Sequence, residues 1–410
     1  MSPSRFMFIA GEASGDLLAA ELVLALKQSP ALQAMPFPPE FFGAGGPKMA
    51  EAGVQLVADL ARHSVIGLSD ALKNYRQFRR FFVELFRVAL EREPDVIVCV
   101  DFSGFNRRFA HAIKQRVRAS QRTFLNWQPK IVQYVSPQVW ASRPGRAQQL
   151  ERDVDLLLSI FPFEKEWYAR HAPRLPVEFV GHPMVDRFAM DDLQAARQPA
   201  ADEAIDRRKS QILLLPGSRA AELRRHLPVL AGAARLIRET KPETRFLVVL
   251  PNEELQGLAL RLSTSSSDLT IQTGGLAKVL TTTDLAITKS GTVSLECAYF
   301  GVPAVVFYKT SWPTYLVARM VVSVKHLAMP NLLAGEEVYP EFVQHAATAD
   351  NIARAALELL HNPERRSAVK MKLARAVRSL GEPGASARAA KAVLSLLEHE
   401  QFPARAALAD

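Results

Sequence analysis

The chain has 410 residues, which is too many for one ordinary hydrophobic core, so we expect two or three domains. Hydrophobic residues make up 48% and charged residues 23%, as in a folded globular protein, and no apolar run is long enough to span a bilayer. The formal net charge of +9 favours anionic partners, and composition leaves nucleic acid, phosphorylated metabolites and an anionic lipid surface open.

The cysteines and the first residues indicate a cellular compartment. Cys99 and Cys297 each lie inside an apolar pattern, which predicts buried thiols in a reducing compartment and neither a disulfide nor a metal site. The first ten residues lack the length and the cleavage pattern of a signal peptide. We therefore expect a cytosolic protein, either free or on a membrane surface.

The first predicted strand, Arg5 to Ala10, runs into a glycine turn and then a helical pattern, Leu17 to Lys27. This order is typical of the opening of a doubly wound α/β domain, although the G-x-G-x-x-G dinucleotide pattern is absent. The turn carries two carboxylates, Glu12 and Asp16, beside Ser14. These groups suit hydrogen bonds to sugar hydroxyls or to a neighbouring loop, while Asp16 can equally favour the helix N-terminus electrostatically.

The segment from Val65 to Arg92 has large apolar residues at spacings of three and four, with arginines on the opposite side. Such a helix either lies in a membrane interface or packs on the sheet with its arginines in solvent. We expect both: the part from Phe81 onward packs inward, and the part from Val65 to Phe78 touches a membrane. The candidate membrane-contacting residues are Val65, Ile66, Leu68, Leu72 and Tyr75.

The run from Pro94 to Asp101 predicts a buried strand that ends in the carboxylate of Asp101. In open α/β sheets ligands bind beyond the carboxyl ends of strands, which makes Asp101 a candidate catalytic carboxylate, with capping of the next helix as the alternative. That next helix is basic, but no nucleic-acid-binding motif accompanies it. His182 follows the last strand of this half and is either a ligand-contacting or a structural residue.

Two turns in the second half have the features of an anion site. The predicted strand Gln211 to Leu215 is followed by Gly217, Ser218 and Arg219, whose guanidinium can grip a phosphate bidentately. A later strand is followed by Ser290, Gly291 and Thr292, where a glycine and two hydroxyls precede a helix N-terminus.

Two further side chains are candidates near these turns. Glu296 lies one helical turn after Thr292, placed to accept hydrogen bonds from a pair of adjacent hydroxyls such as those of a ribose, although an ordinary capped turn with a surface Glu remains open. Asn331 falls in a predicted loop, residues 330–335. The alternation of strands and helices predicts a second doubly wound domain, and neither a Walker A motif nor a metal-ligand pattern appears.

Taken together, these motifs resemble the lipid-A-disaccharide synthase family. The matching runs occur in the family's order and are Gly11–Asp16, Tyr134–Pro137 with Val139 and Trp140, Phe161–Lys165, Gly181 with His182, Leu215–Arg219, Ser290–Thr292 with Leu295 and Glu296, and Pro330–Gly335. The resemblance implies an α/β protein of the GT-B class, with two Rossmann-like domains facing across a cleft. We expect an acceptor and membrane-contacting domain at 1–185, a UDP-sugar domain at 186–365, and helices at 366–410 that pack back on the first domain.

The resemblance also implies an inverting glycosyl transfer without metal or other cofactor, on the cytoplasmic face of the inner membrane of a Gram-negative bacterium. The donor would be UDP-2,3-diacylglucosamine and the acceptor 2,3-diacylglucosamine 1-phosphate (lipid X). It makes the membrane interpretation of Val65 to Phe78 the favoured one, and it accounts for the basic surface without nucleic acid. Alternatives are another GT-B aminosugar transferase, an epimerase, or a non-catalytic UDP-sugar-binding protein at a membrane.

The residue roles that the resemblance implies are specific. Asp101 matches the family's catalytic aspartate, and the turns at Arg219 and at Ser290 to Thr292 would stabilise the leaving UDP. Glu296 would hold the ribose, and Asn331 would contact the nucleotide. The acceptor side would be lined by Glu12, Ser14 and Asp16, of which Glu12 and Asp16 are expected to be catalytic together with Asp101. Two positions depart from the family pattern, with Gly104 where an aspartate is usual and Ser142 where a tryptophan is usual. These departures affect the expected shape of the acceptor pocket and leave the proposed base in place.

Overall fold

A computed structural model describes residues 3–60, 71–120, 127–188, 210–263, 269–322 and 324–401. The chain folds into two compact units. Unit 1 comprises Met1–Asp186 together with Leu380–Asp410, and unit 2 comprises Arg187–Ser379. Each unit is a parallel β-sheet covered by helices.

Unit 1 is built on a seven-stranded parallel sheet. Its strands are β1 (Arg5–Ala10), β2 (Glu40–Gly45), β3 (Gln55–Asp59), β4 (Val96–Val100), β5 (Lys130–Tyr134), β6 (Leu156–Ser159) and β7 (Val177–Phe179), in the spatial order β3-β2-β1-β4-β5-β6-β7. All five residues of β4 are buried, as expected for a central strand with both faces covered. The strand order reverses between β1 and β4, so the turns that follow these two strands lie side by side.

Within the described residues, eight α-helices connect the strands of unit 1, a ninth follows β7, and a tenth comes from the C-terminal segment. They are α1 (Ala13–Gln28), α2 (Pro30–Gln33), α3 (Pro47–Glu51), α4 (Ala71–Arg92), α5 (Ser103–Ser120), α6 (Val139–Ser142), α7 (Ala147–Asp153), α8 (Pro162–His171), α9 (Met184–Arg187, whose last residue belongs to unit 2) and the C-terminal Ala385–Gln401. The C-terminal helix packs against α1.

The prediction for the later part of α4 is confirmed. Phe82 packs edge-on against Phe105 and Phe109 of α5, with ring centroids 5.6 Å apart in both pairs, and Leu85 and Ala89 are fully buried. The predicted membrane-contacting residues cannot be compared in the same way. Val65, Ile66 and Leu68 lie outside the described residues, as do the side chains of Leu72 and Tyr75.

Unit 2 repeats the architecture with six parallel strands. They are β8 (Gln211–Leu215), β9 (Arg245–Leu250), β10 (Leu269–Thr273), β11 (Leu285–Lys289), β12 (Ala304–Tyr308) and β13 (Glu341–Val343), in the order β10-β9-β8-β11-β12-β13. The order reverses between β8 and β11, which brings together the two turns that the sequence singled out as anion-binding. The helices are α10 (Ala220–Thr240), α11 (Glu253–Leu262), α12 (Leu276–Leu280), α13 (Thr292–Tyr299), α14 (Trp312–Val321), α15 (Met329–Ala334), α16 (Ala349–His361) and α17 (Pro363–Arg378), and the C-terminal helix of unit 1 is α18.

One structural prediction in unit 2 is wrong. The run Pro330–Gly335 was expected to be a loop, but Met329–Ala334 forms the helix α15. Pro330 lies in the first turn, where its missing N–H costs no helical hydrogen bond, and Gly335 ends the helix in the left-handed conformation with φ of 69°. The Pro and Gly that suggested a loop are therefore the start and stop signals of a short helix.

Three properties of the described residues bear on function. None of their helices combines the length and the apolar character needed to cross a membrane. Their His, Cys, Asp and Glu side chains form no group of three or more able to hold a metal ion. Cys99 and Cys297 are both buried and are not joined by a disulfide, as the sequence predicted.

Candidate active site

Asp101 lies in a strained turn immediately after β4. Both Asp101 and Phe102 have positive φ angles, 47° and 39°, which residues other than glycine rarely adopt. The main chain of this turn is held by two buried side-chain amides: Asn106 donates to the Asp101 carbonyl at 3.0 Å, and Gln133 donates to the same carbonyl at 3.4 Å. The Asp101 N–H also donates to the Tyr134 carbonyl of β5 at 2.9 Å. The main chain that carries the carboxylate is therefore held by three hydrogen bonds that do not involve the carboxylate oxygens.

The environment of Asp101 makes it a stronger base than an ordinary carboxylate. Burial raises the pKa of Asp101, the negative charge of Glu12 raises that pKa further, and a hydrogen bond from the Phe102 N–H opposes both effects. Glu12 lies in the turn after β1, next to β4 in the sheet. The two carboxylates thus meet at the point where the strand order reverses, the usual ligand position in open α/β sheets.

Gly11 is required by the packing of this turn. A Cβ atom at Gly11 would lie 2.2 Å from the ring of Phe102, so only glycine leaves room for the ring. Phe102 in turn stacks on Phe105 with ring centroids 5.5 Å apart and contacts Phe78 of α4 at 6.0 Å. The turn that contains Asp101 therefore packs between the end of β1 and the aromatic residues of α4 and α5.

Asp16 has a structural position, and its carboxylate is directed at a neighbouring loop. It is 2% exposed and accepts hydrogen bonds from three main-chain N–H groups: Gly46 at 2.8 Å, Met49 at 3.0 Å and Lys48 at 3.0 Å. Of the alternatives that the sequence left open, the structure shows the contact with a loop, here the N-terminus of α3. Glu12 is half-buried and Ser14 is exposed, so these two side chains are the accessible polar groups of the turn.

The runs at Tyr134–Trp140 and Phe161–Lys165 form a buried polar network. Glu164 accepts hydrogen bonds from Trp140 Nε1 at 3.0 Å and Ser159 Oγ at 2.7 Å, and burial raises the pKa of Glu164 to about 7. Ser136 Oγ donates to the Tyr168 hydroxyl at 3.0 Å. This network ties the loop after β5 to α8, which accounts for these residues without direct contact to a ligand.

His182 is also buried, and it orders the connection at the end of β7. Its ring Nδ1 accepts a hydrogen bond from the Met184 N–H at 3.1 Å, and the main-chain N–H of His182 donates to the Leu380 carbonyl at 2.9 Å. The ring lies 5.4 Å from that of Phe161. Of the two roles predicted from the sequence, these contacts support the structural one.

In unit 2, the turn after β8 packs around the carboxylate of Glu222, which the sequence analysis did not identify as a candidate. Glu222 Oε2 accepts a hydrogen bond from the Ser218 N–H at 3.1 Å, and Glu222 Oε1 pairs with Lys289 Nζ at 3.2 Å. Gly217 has φ of 124°, and a Cβ atom there would lie 2.3 Å from Glu222 Oε2. Arg219 is the residue preceding α10. The Glu222–Lys289 pair therefore joins the two turns that meet where the strand order reverses.

His226 fixes the same turn from the other side. Its Nδ1 contacts the Pro216 carbonyl at 2.6 Å and its Nε2 contacts the main chain of Lys309 at 3.0 Å. Burial lowers the pKa of His226, whereas the hydrogen bonds to the Pro216 and Lys309 carbonyls oppose this effect. Glu222 and His226 were missed in the sequence because each has one partner far along the chain, Lys289 at 67 residues and Lys309 at 83 residues. The available local signal was charge on the first turns of α10.

The turn after β11 leads into the N-terminus of α13. Gly291 has φ of 139°, and Thr292, the first residue of the helix, is exposed. The first N–H groups of a helix lack intrahelical acceptors and carry the positive end of its dipole, so they can bind an anion. Ser290 Oγ is already engaged, since it donates to the Leu327 carbonyl at 2.8 Å.

Glu296 lies one turn further along α13 in a half-buried position. Burial raises the pKa of Glu296 to about 7, and the positive charge of Arg187 opposes this effect. Its two oxygens can accept from two adjacent hydroxyls, as the sequence suggested. A ligand that donates two hydrogen bonds would stabilise the ionised form.

Asn331 has a different set of partners from those expected for a nucleotide contact. Its amide donates to the Tyr339 carbonyl at 2.8 Å and to Glu341 Oε1 at 2.7 Å, and its oxygen accepts from the Val338 and Tyr339 N–H groups at 2.9 and 2.8 Å. All four hydrogen-bonding positions of this buried amide are used. Glu341 also accepts from the Leu327 N–H, and the Leu327 carbonyl accepts from Ser290. Asn331 is therefore linked to the turn after β11 through Glu341 and Leu327.

The structure thus brings the predicted residues together in two places. In unit 1, Glu12 and Asp101 lie at the carboxyl ends of β1 and β4. In unit 2, two turns and one acid meet at the ends of β8 and β11; these residues are Gly217, Ser218, Arg219, Ser290, Gly291, Thr292 and Glu296. The first set is acidic and suits proton removal, whereas the second offers a guanidinium and helix-end amides to an anion.

Comparison with known proteins gives consistent results over nearly the whole chain. The model of a family described as lipid-A-disaccharide synthetase matches residues 6–396. Lipid-A-disaccharide synthase from Geobacter sulfurreducens is 36% identical over 395 residues, covering 96% of this chain and 97% of that protein.

Solved structures share the fold at low sequence identity. The UDP-GlcNAc 2-epimerase of Neisseria meningitidis, bound to UDP-GlcNAc, has a TM-score of 0.58 and 12% identity, covering 96% of this chain and 100% of that one. The calicheamicin glycosyltransferase CalG4 has a TM-score of 0.56 and 15% identity, covering 97% and 100%. These similarities show that the two parallel-sheet units have the GT-B fold.

Proposed function

The chain belongs to the lipid-A-disaccharide synthase family, and on that premise we propose that it joins two acylated glucosamine units through a β-1,6 bond. It is an enzyme of the glycosyltransferase class. The proposed donor is UDP-2,3-diacylglucosamine, and the proposed acceptor is 2,3-diacylglucosamine 1-phosphate, lipid X. The products are the tetra-acylated disaccharide 1-phosphate and UDP.

Asp101 is the proposed general base. Its carboxylate takes the proton from the 6-hydroxyl of the acceptor while that oxygen bonds to the anomeric carbon of the donor, and the bond from that carbon to the UDP oxygen breaks with its electron pair going to UDP. Attack from the face opposite the leaving group inverts the anomeric carbon. The raised pKa of Asp101, caused by burial and Glu12, supports this role, because a base is more effective when its pKa approaches the working pH.

We assign to unit 2 the stabilisation of the negative charge that develops on the leaving UDP. Arg219 would contact the diphosphate with its guanidinium, and the main-chain N–H groups at Gly291 and Thr292 would donate to it from the N-terminus of α13. Ser218 lies in the same turn as Arg219. Glu296 would accept hydrogen bonds from the two ribose hydroxyls, which fixes the nucleoside relative to the diphosphate.

The remaining predicted residues have supporting positions. Glu12 and Ser14 are the accessible polar groups beside Asp101 and would line the acceptor side, where Glu12 also maintains the basicity of Asp101. Asp16 and Asn331 would act indirectly, by ordering the turns that carry other groups.

We further propose that the enzyme works on the cytoplasmic face of the inner membrane of a Gram-negative bacterium. Both proposed substrates carry acyl chains, and transfer between them requires access to a bilayer surface. The net charge of +9 favours an anionic surface, and the segment Val65 to Phe78 has the residue pattern of an interfacial helix. Membrane attachment would depend on Val65, Ile66, Leu68, Leu72 and Tyr75.

The observation that carries the proposal is the match to one family over residues 6–396 with Asp101 held at the point where the strand order reverses. The test is incubation of purified protein with both acylated monosaccharides in detergent, followed by mass spectrometry for the disaccharide 1-phosphate. Formation of this product and its dependence on both acyl-sugars are expected. Turnover of UDP-GlcNAc alone would favour an epimerase, and UDP binding without any turnover would favour a non-catalytic binding protein.

A further inference from the structure

Helix α14 of unit 2 exposes an apolar face that no other described element covers. Trp312 is 56% exposed, Leu316 54% and Met320 79%. These residues are spaced by four, so at about 100° per residue they occupy one sector of the helix, and Arg319 lies in the same sector. Most surface helices turn their large apolar residues toward the core, whereas α14 turns them to solvent.

The chemistry of this face fits a lipid surface. From Cys297 to Gly335 the chain contains no Asp or Glu, and its charged residues are Lys309, Arg319 and Lys325. A cationic helix with exposed Trp, Leu and Met side chains combines attraction to anionic headgroups with apolar contact at the headgroup–acyl boundary. Trp312 is held in place, since its ring contacts those of Tyr315 at 5.8 Å and His345 at 5.4 Å.

The connections of α14 keep this face rigid. The helix begins after β12, and its N-terminus is ordered by a contact of 2.7 Å between Ser311 Oγ and Thr314 Oγ1. Thr310 N–H and carbonyl both bond to the side chain of Gln344 at 3.1 Å. A surface helix anchored in this way exposes its apolar side chains with little freedom to fold them back, which is the arrangement that a docking surface requires.

We propose that the exposed face of α14, formed by Trp312, Leu316, Arg319 and Met320, inserts into the headgroup region of an anionic bilayer. The inference deepens the proposed function, on which it rests for the lipid nature of the substrates, and it gives the nucleotide-binding unit its own membrane contact. This contact is separate from the predicted one at Val65 to Phe78. It would hold a donor sugar with its acyl chains at the bilayer surface while unit 2 binds the nucleotide.

The test measures the depth of Trp312 in lipid directly. Full-length protein is mixed with vesicles of anionic phospholipid whose acyl chains carry bromine, and the fluorescence lost on binding is compared between wild type and Trp312→Phe. The chain has four tryptophans, so the difference between the two proteins reports Trp312. Quenching that disappears with Trp312→Phe is expected. Vesicles that bind the protein without quenching Trp312 would overturn the proposal.

A second measurement compares affinities. The variant Trp312→Ser/Leu316→Ser/Met320→Ser should bind anionic vesicles on the order of tenfold more weakly or worse, because it loses the apolar contact. The matched control is Leu260→Ser/Met371→Ser, which removes two apolar side chains elsewhere in unit 2 that are 56% and 67% exposed. This control should bind vesicles like wild type. Arg319→Gln should weaken binding to anionic vesicles and leave binding to zwitterionic vesicles unchanged.

Two controls separate the possible failures. UDP affinity, measured by calorimetry, should be unchanged in all variants and shows that they are folded. If the triple variant changes the oligomeric state while vesicle binding stays the same, the face is an interface between copies and the proposal is wrong. Failure of the proposed function would appear as absent disaccharide formation in detergent, whereas failure of this inference would appear as unquenched Trp312 in an active enzyme.

Discussion

Replacing Asp101 with Asn is the sharpest perturbation that the structure allows. The turn that holds Asp101 depends on its main-chain N–H and carbonyl, which bond to Tyr134, Asn106 and Gln133. An amide of the same shape keeps these contacts and can still accept a hydrogen bond from the Phe102 N–H. We therefore expect a change in the free energy of unfolding within about 1 kcal/mol.

Activity should respond very differently from stability. A positioned general base contributes about 10²- to 10⁴-fold to the rate, or roughly 2.7 to 5.4 kcal/mol of barrier. Asp101→Asn should therefore lower kcat by that factor while UDP affinity, which the proposal assigns to unit 2, stays unchanged. The assay is disaccharide formation in detergent with calorimetric UDP binding in parallel, and Glu166→Gln, at an exposed carboxylate of α8, is the control.

The pH dependence gives an independent check on the same group. Because the pKa of Asp101 is raised, its basic form should be lost, and kcat/KM should fall, at a higher pH than for an ordinary carboxylate as the solution is acidified. Glu12→Gln removes the negative charge that contributes to this shift, so the acidic limb should move to lower pH. Full activity of Asp101→Asn, or an acidic limb that Glu12→Gln leaves in place, would refute the assignment.

Three further substitutions test the supporting structure. Glu164→Gln should become increasingly stable relative to wild type as pH rises from 4.5 through about 7. The pKa of Glu164 is raised from 4.5 to about 7 in the folded protein, so ionisation destabilises folded wild type across that range. Denaturant melts of both proteins at several pH values measure the difference. Asn331→Ala should lower the free energy of unfolding by about 1–3 kcal/mol for each buried partner left unsatisfied, and should weaken UDP binding; an unchanged melting temperature would contradict the bracing role. Gly217→Ala should weaken UDP binding by displacing Glu222, whereas Gly104→Ala, whose Cβ would meet nothing within 4 Å, should leave UDP binding unchanged; calorimetry compares the two variants.

Much of the fold follows from local patterns in the sequence. Apolar runs such as Val96–Val100 predict buried parallel strands, and the turn residues that follow them mark the edge at which a ligand can bind. The strand ends at Asp101, Arg219 and Ser290 were identified in this way. Pro330 and Gly335 were misread, because the same two residue types that mark a loop also begin and end a short helix.

The partners of individual polar side chains could not be predicted, because they depend on tertiary contacts. Asp16 bonds to main-chain groups 30 to 33 residues away, and Glu222 pairs with Lys289 67 residues away. No local pattern distinguishes such a residue from one that faces a ligand, since both are polar groups in a turn at a strand end. The sequence therefore predicts the strand ends at which candidate residues gather, but it cannot separate residues that face a ligand from residues that brace a turn.

In both units a carboxylate braces a turn at the end of a strand, but the charges around the two turns differ. In each, a carboxylate on the first turns of a helix accepts a main-chain N–H from a turn that follows a parallel strand: Asp16 accepts from Gly46 after β2, and Glu222 accepts from Ser218 after β8. In unit 1 no cation is among the causes of the shift at Asp101, and Glu12 adds negative charge there, which keeps that carboxylate basic.

In unit 2 the bracing carboxylate is paired with Lys289, so its charge is compensated where Arg219 and the N-terminus of α13 lie on the neighbouring turns. A diphosphate can approach this environment, whereas the acidic turn of unit 1 would repel it. The two parallel sheets thus differ in local charge at their strand ends: Glu12 lies beside Asp101 in unit 1, whereas Arg219 and the Lys289–Glu222 pair lie at the corresponding edge of unit 2. The proposed transfer requires both environments, because one sugar must lose a proton while the diphosphate of the other departs, and this difference in local charge between the units is what such a division of roles predicts.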